Sequence, residues 1–271
     1  HYAVGLGRVG SFYADPNDSN RIYLGSRSGG FWKTNNEGIS WANTTDFLYA
    51  AGVNTIAVSP ENPNYILINV RNSNNGATHG IHQSNDGGDT WNITNFNPEN
   101  LSWGGLGTYN SIYKIAYHPT IPDLVFIGTS EGLFRSADNI NTWIHSATGY
   151  SWEWDYNFTQ ISFHPTDENI VYAATYNEDS KIYISNDGGI TFSKSNVIPG
   201  NSSNIKLSVS AACSNCVYVG TSDGIWKSTD NGQNFTLISN PGISNYGAFA
   251  VSDIDTNYML FGDIDTHISS D

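Results

Sequence analysis

A short motif returns five times along this chain and begins a sixth time at its end, and that repetition constrains the fold more than any other feature. It reads Ser or Thr, any residue, Asp or Asn, any residue, usually Gly, any residue, usually Thr or Ser, then Trp or Phe. The copies occupy 34–41, 84–91, 136–143, 185–192 and 228–235, and the sixth opens at Ser269-Ser270-Asp271. Their starts lie 50, 52, 49, 43 and 41 residues apart. Periods in this range belong to arrays in which one supersecondary unit is copied. A second pattern recurs out of phase with the first: an alternating run, a turn rich in Pro, Asn, Asp and Ser, and another β-rich run. It holds 9–14 with 22–25, 55–58 with 65–69, 114–117 with 124–128, 160–163 with 170–174, 206–209 with 216–220, and 248–251 with 258–262. Period-two alternation bounded by such turns signals strand, turn and strand. A third run leads into each motif, as at Gly30–Lys33, and a fourth follows it, as at Asn92–Asn95.

Four antiparallel strands per repeat, with no helical period anywhere, predict an all-β chain: a β-propeller of four-stranded blades. About five and a half blades are visible, at roughly 8–52, 53–111, 112–157, 158–204, 205–246 and 247–271, in a single domain. Five and a half blades leave a ring open, and an open edge invites another strand. The expectation is six to eight blades in a longer polypeptide, or strands supplied from elsewhere. Each motif reads as the turn between the third and fourth strands. Asn36, Asp86, Asp138, Asp187 and Asp230 accept backbone hydrogen bonds there, and Gly38, Gly88, Gly189 and Gly232 supply a positive φ. Trp41, Trp91, Trp143, Phe192 and Phe235 are expected to pin each turn to its own blade. Ile140, standing at the glycine position of the third copy, predicts a distorted turn.

The motif resembles the Asp box, or BNR repeat, of sialidases, sortilin-type receptors and xyloglucanase-like glycoside hydrolases. The first unit, from Gly7-Arg8-Val9-Gly10 through Gly25–Lys33 to Trp41, looks like the repeats of large secreted surface proteins of Bacteroidota-type bacteria. The resemblance covers residues 8–271 and implies that the box residues are structural, because such boxes sit at the blade periphery. It also implies an extracellular location and export by the type IX route, with outer-membrane secretion or surface machinery as a partner.

Composition narrows the partners. The net charge is −14 with only 11 basic residues, which excludes a nucleic-acid backbone as the natural ligand. No apolar run reaches the length of a membrane span. Cys213 and Cys216 fall in the first hairpin turn of the fifth unit, where they form a turn disulfide or remain inert thiols. A zinc site needs further nitrogen or sulfur ligands, and no metal or cofactor is expected.

In a propeller the loops between second and third strands and those between blades open on one face. Two inter-blade loops stand out there, carrying Trp103 and Tyr109 in one, and Trp152, Glu153, Trp154, Asp155 and Tyr156 in the other. Arg71 and His79 flank a third loop on the same face. Aromatic planes beside carboxylates and amides suit a sugar, and equally suit a protein hot spot. A glycosidase needs two carboxylates about 5–10 Å apart. Glu131, Glu153, Asp155, Glu178, Asp179, Asp223, Asp263 and Asp265 map to this face without a discriminating pattern. A sialidase clusters arginines on its substrate; Arg8, Arg21, Arg27, Arg71 and Arg135 are the whole supply, and Arg21 and Arg135 map elsewhere. His118 and His164 replace Asp in hairpin turns. The leading expectation is a non-catalytic secreted or cell-surface propeller that binds a glycan or a protein, one module of a larger exported protein. The alternatives are a glycoside hydrolase acting on extracellular polysaccharide and a sortilin-like peptide-binding propeller.

Overall fold

The computed structural model describes residues 7–49, 52–100, 110–147, 157–176, 181–195, 205–240, 248–262 and 266–269. These residues are all-β, in six antiparallel sheets that have the up-and-down order of propeller blades. Blade one holds β1 (Val9–Ala14), β2 (Arg21–Ser26), β3 (Gly30–Asn35) and β4 (Ala42–Asn43). Blade two holds β5 (Gly52–Val58), β6 (Ile66–Arg71), β7 (Thr78–Ser84) and β8 (Asn92–Ile93). Blade three holds β9 (Ile112–Tyr117), β10 (Val125–Thr129), β11 (Gly132–Ser136) and β12 (Ile144–Ala147). Blade four holds β13 (Phe158–Phe163), β14 (Val171–Thr175), β15 (Ile182–Ser185) and β16 (Ser193–Lys194). Blade five holds β17 (Lys206–Ser210), β18 (Cys213–Thr221), β19 (Gly224–Ser228) and β20 (Thr236–Ser239). The sixth sheet has three strands among the described residues: β21 (Ala248–Val251), β22 (Met259–Gly262) and β23 (Thr266–Ser269). The chain packs as two compact units, His1–Ile144 and His145–Asp271.

Within each unit the inner strands are deeply buried. β10 and β14 are buried at every position, as a strand covered on both faces must be. Adjoining first strands are tied by side chains as well as by packing. Ser11 Oγ accepts from the Ile56 amide at 3.1 Å, Thr55 Oγ1 from the Ile115 amide at 3.1 Å, and Ser208 Oγ from the Val251 amide at 3.0 Å. The turns between first and second strands are closed by a side-chain acceptor. Asp15 Oδ1 accepts from the Asn17 amide at 2.9 Å, and His164 Nδ1 does the same work for the Asp167 amide at 2.9 Å. His118 Nδ1 caps the Ile121 amide at 3.1 Å. Each imidazole therefore stands in for a carboxylate as an acceptor.

The repeated turns share one geometry. The hydroxyl of the opening Ser or Thr donates to the Asp or Asn at position three and accepts the amide of position five. For Ser84 these bonds reach Asp86 Oδ1 at 2.7 Å and the Gly88 amide at 2.8 Å. The same pair recurs at Ser136, Ser185 and Ser228, and at Thr34 with Asn36. Positions four and five are both left-handed in every copy: Glu37-Gly38, Gly87-Gly88, Asn139-Ile140, Gly188-Gly189 and Asn231-Gly232. Two consecutive positive φ values are what a type I′ connection demands, and its twist matches the flanking strands. The amide of position four then bonds a carbonyl just before the second strand of the same blade, or in blade five within its start at Asn215, from Glu37 to Asn20 through Asn231 to Asn215, at 2.9–3.2 Å.

Two expectations need correction. The third turn is not distorted: Ile140 takes φ +69 and keeps the Ser136 hydrogen bond at 2.8 Å. A Cβ on Gly88 would stand 2.7 Å from the Phe31 ring. At the place of Phe31 the second blade carries the smaller Ile81, which shares one buried cluster with Ile140. Burial of the isoleucine side chain offsets a left-handed strain of about 1–2 kcal/mol. The aromatic at position eight stays on its own turn in the first copy, where Trp41 donates Nε1–H to the Gly38 carbonyl at 3.0 Å, but in three others it also reaches the preceding blade. Trp91 lies edge-on to Phe31 of blade one at 4.9 Å between centroids and donates Nε1–H to Thr44 Oγ1 at 3.0 Å. Trp143 packs edge-on to Phe96, beyond β8, at 5.1 Å, and Phe235 joins a cluster with Tyr172 and Ile184 of blade four. In these three copies the turn is held to its own blade by backbone and to the preceding blade by its aromatic. Lys33 adds to the first seam, donating from Nζ to the Gly87 carbonyl at 3.1 Å and pairing with Asp89 at 2.7 Å.

Gly88→Ala is expected to lower stability by about 2 kcal/mol, since a Cβ meets both an unfavourable φ and the Phe31 ring. Ile140→Gly is expected to cost a similar amount, because the lost burial outweighs the relieved strain. Urea denaturation midpoints of the two variants against the parent check both.

Candidate functional site

Among the described residues the turn carboxylates Asp86 and Asp230 are the most strongly lowered acids, and their perturbation is structural. Asp86 is pushed well below the usual carboxylate range, first by the Thr90 hydroxyl on Oδ2 at 2.6 Å, against a smaller opposing effect of burial and with help from the Thr90 amide and Ser84. Asp230 is lowered from 3.8 to about 2, by the Ser228 hydroxyl first and then by the Asn234 side-chain amide. Every one of these bonds favours the ionised form. The carboxylates are saturated with donors of their own turn, which leaves them no role as acids or ligands. A lowered folded-state value means that their contribution is complete above about pH 4 and is lost as pH falls through about 2. Urea midpoints measured from pH 5 to pH 2 are expected to drop steeply below pH 4. Asp86→Asn is expected to flatten that drop, because Asn36 already fills this position as a neutral residue in the first turn.

In unit one, the loops that leave β2, β4 and β6 bring a different set of side chains together. Arg27 follows β2 and Arg71 ends β6. Gly52, which opens β5, lies between them: a Cβ there would collide with the Arg27 carbonyl and stand 2.8 Å from Arg71 Cγ. Gly76, at φ +80, leaves room for Arg71 Nη2. The Arg71 guanidinium is thus folded beneath the 72–77 loop. Its Nε–H is fully buried and donates to nothing. Burial pushes its proton affinity down, the Arg27 charge pushes it further, and the Tyr113 phenol opposes both. Neither Arg27 nor Arg71 is paired with a carboxylate among the described residues. Arg21, by contrast, is paired with Asp15 at 3.4 Å.

The base of this cluster is rigid. Asn69 donates to Asn54 Oδ1 at 2.7 Å and to the Ile112 carbonyl at 3.1 Å, and accepts from Thr78 Oγ1 at 2.5 Å. This buried network joins β5, β6, β7 and the start of β9 under the Arg71 loop. Thr78 is the register partner of Arg71. Its neighbour His79 meets the Tyr49 ring edge-on, with 5.5 Å between centroids. Tyr49 is 96% exposed and stands after β4.

Of the residues expected to bind, Arg71 and His79 flank this loop end. Trp103, Tyr109, Trp152, Glu153, Trp154, Asp155 and Tyr156 lie outside the described residues, as do Glu178, Asp179, Asp263 and Asp265. Glu131 is exposed in the β10–β11 turn, yet partial burial of its carboxyl raises its pKa. Sequence reasoning passed over Tyr49 and the approach of Arg71 to the Arg27 carbonyl across Gly52. The glycines at 52 and 76 beside those arginines were the only signal of a close approach. Cys213 and Cys216 form a disulfide, with Cα atoms 5.3 Å apart. Among the described residues no group of His, Cys, Asp and Glu is placed to hold a metal ion, and no helix is long and apolar enough to cross a membrane.

No protein-family model matches the chain. A xyloglucanase of Hypocrea jecorina (strain QM6a) is 29% identical over 163 residues, which are 53% of this chain and 19% of that protein. The chain spans about a fifth of the length of the curated relatives it matches. Among solved structures, the GH74 enzyme of Niastella koreensis superposes with a TM-score of 0.71 at 23% identity, over 94% of this chain and 40% of that one. YCF48 bound to a D1 peptide superposes with a TM-score of 0.68 at 15% identity, over 98% of this chain and 78% of that one. At these identities the structural likeness establishes the propeller fold and carries no activity with it.

Proposed function

We propose that this chain is a non-catalytic, extracellular β-propeller module that binds a polysaccharide, and that it serves as one module of a larger exported protein. The observation that carries this reading is Tyr49. A nearly fully exposed aromatic plane, met edge-on by His79, offers a stacking face for a sugar ring. The xyloglucanase named among the relatives supports a carbohydrate ligand. The disulfide supports an oxidising, extracellular compartment. The turn carboxylates are spent on their own turns and contribute nothing to bond cleavage.

A second reading, a glycoside hydrolase, is favoured by the xyloglucanases among the relatives, with Glu131, whose carboxyl is pushed up by partial burial, as the first acid to test. The two readings separate in one pair of measurements. Binding is followed by affinity electrophoresis in gels containing xyloglucan or an acidic plant polysaccharide, and sugar release is followed by reducing-end assay on the same polymers. Retardation without release is expected, with Tyr49→Ala weakening binding by about tenfold. Release of sugar that disappears in Glu131→Gln establishes the hydrolase instead. A propeller that docks protein leaves every polysaccharide gel unretarded.

A further inference from the structure

We propose that a cavity between blade five and the sixth sheet is a binding site for a peptide segment of the repeat's own class: a turn with an acid at position six and Trp or Phe at position eight. The cavity encloses about 360 Å³. Tyr218, Ile225 and Lys227 of blade five line it, together with Asn257 and Ser269 of the sixth-sheet segment. The seam of blades one and two, in the same chain, supplies the precedent for what such a surface holds.

The two surfaces correspond residue by residue. Gly30-Phe31-Trp32-Lys33 of β3 matches Gly224-Ile225-Trp226-Lys227 of β19, and Lys33 is in register with Tyr23 as Lys227 is with Tyr218. In blade one this surface carries the turn of the next repeat. Lys33 Nζ donates to the position-four carbonyl of Gly87 at 3.1 Å and pairs with the position-six carboxylate of Asp89 at 2.7 Å. The position-eight ring of Trp91 lies edge-on to Phe31 at 4.9 Å. Blade five presents the same cation and an apolar residue at the place of Phe31. Lys227 Nζ stands 5.4 Å from the centroid of the Tyr218 ring and is paired with no carboxylate among the described residues. Tyr218 is fully buried, and its hydroxyl has no hydrogen-bond partner among them, a cost that a polar ligand group removes.

The sixth sheet supplies the rest. Ser269 ends β23 as Ser84 ends β7, which sets position one of the repeat on the cavity. Asn257 stands two residues before β22, as Asn64 stands before β6, and the Asn64 carbonyl accepts the position-four amide of Gly87. β23 is the outer strand of its sheet among the described residues, so a strand that follows the bound turn has an edge to pair with. The volume admits a turn and one aromatic ring but no folded blade, so the occupant is a polypeptide segment rather than a second folded copy. A neutral sugar offers Lys227 no countercharge.

The test titrates the folded chain with a fluorescent peptide of residues 84–95, the second repeat's own turn and strand, and reads anisotropy. Saturable binding with a Kd of about 0.1 mM or tighter is expected. Asp89→Asn and Trp91→Ala in the peptide are each expected to weaken it about tenfold. Lys227→Gln in the protein is expected to weaken the parent peptide about tenfold and to abolish the preference for Asp89 over its Asn variant, because the two charges act as one pair. Lys194→Gln, at an exposed lysine of blade four, is expected to leave both unchanged. Should Lys227→Gln fail to fold in a thermal melt, Lys227→Met, which keeps the stem over the Tyr218 ring, takes its place. Absence of saturable binding, binding indifferent to Asp89 and Trp91, or binding that survives loss of the Lys227 charge overturns the inference. Displacement of the peptide by xyloglucan overturns it too, and gives the cavity to a sugar instead.

Discussion

One hydroxyl governs each blade. The Ser or Thr that opens the repeated turn donates to an acidic or amide side chain two residues on and accepts an amide four residues on. That pair of bonds makes two successive left-handed residues the stable local conformation, which would otherwise cost free energy at each non-glycine position. Once the left-handed pair is set, the position-four amide faces the start of the second strand, and the aromatic four residues further on is carried to the edge of the turn. The third and fourth strands, the blade's internal closure and the seam to the neighbouring blade all follow from this small network. Its tolerance is visible at Asn139-Ile140, where no glycine is present and the network still holds.

The all-β class, the strand order and the turn positions were legible in the sequence because each depends on local chemistry: alternation, Pro- and Asn-rich turns and a spaced motif. What escaped was non-local. The partner of Trp91 is Phe31, some sixty residues earlier, and nothing in the spacing of either residue points to the other. Ile140 looked like a defect because glycine rules describe backbone cost, whereas the packing space left by Ile81 is a tertiary fact. The binding end follows the same division. Arg71 and His79 could be chosen from loop mapping, but the approach of Arg71 to the Arg27 carbonyl depends on how two hairpins are laid side by side across Gly52. Tyr49 is unremarkable as a letter and distinctive only by its exposure and by its contact with His79.

The turn carboxylates are hydrogen-bonded to saturation and serve the scaffold. At the loop end of unit one a satisfied amide network joins β5, β6, β7 and the start of β9, while the Arg71 Nε–H stays buried and unbonded and the Tyr49 ring is exposed beside His79.

Because Trp91, Trp143 and Phe235 reach back to the preceding blade, those seams have a polarity along the chain. Trp91 needs blade one to be in place, and Phe235 needs blade four. A chain delivered N-terminus first, from a ribosome or through an export channel, offers each new turn a finished surface on which to dock. Assembly can then proceed vectorially, one blade templating the next. A lesion in an early blade should therefore disturb those made after it more than a lesion in a late blade disturbs those made before.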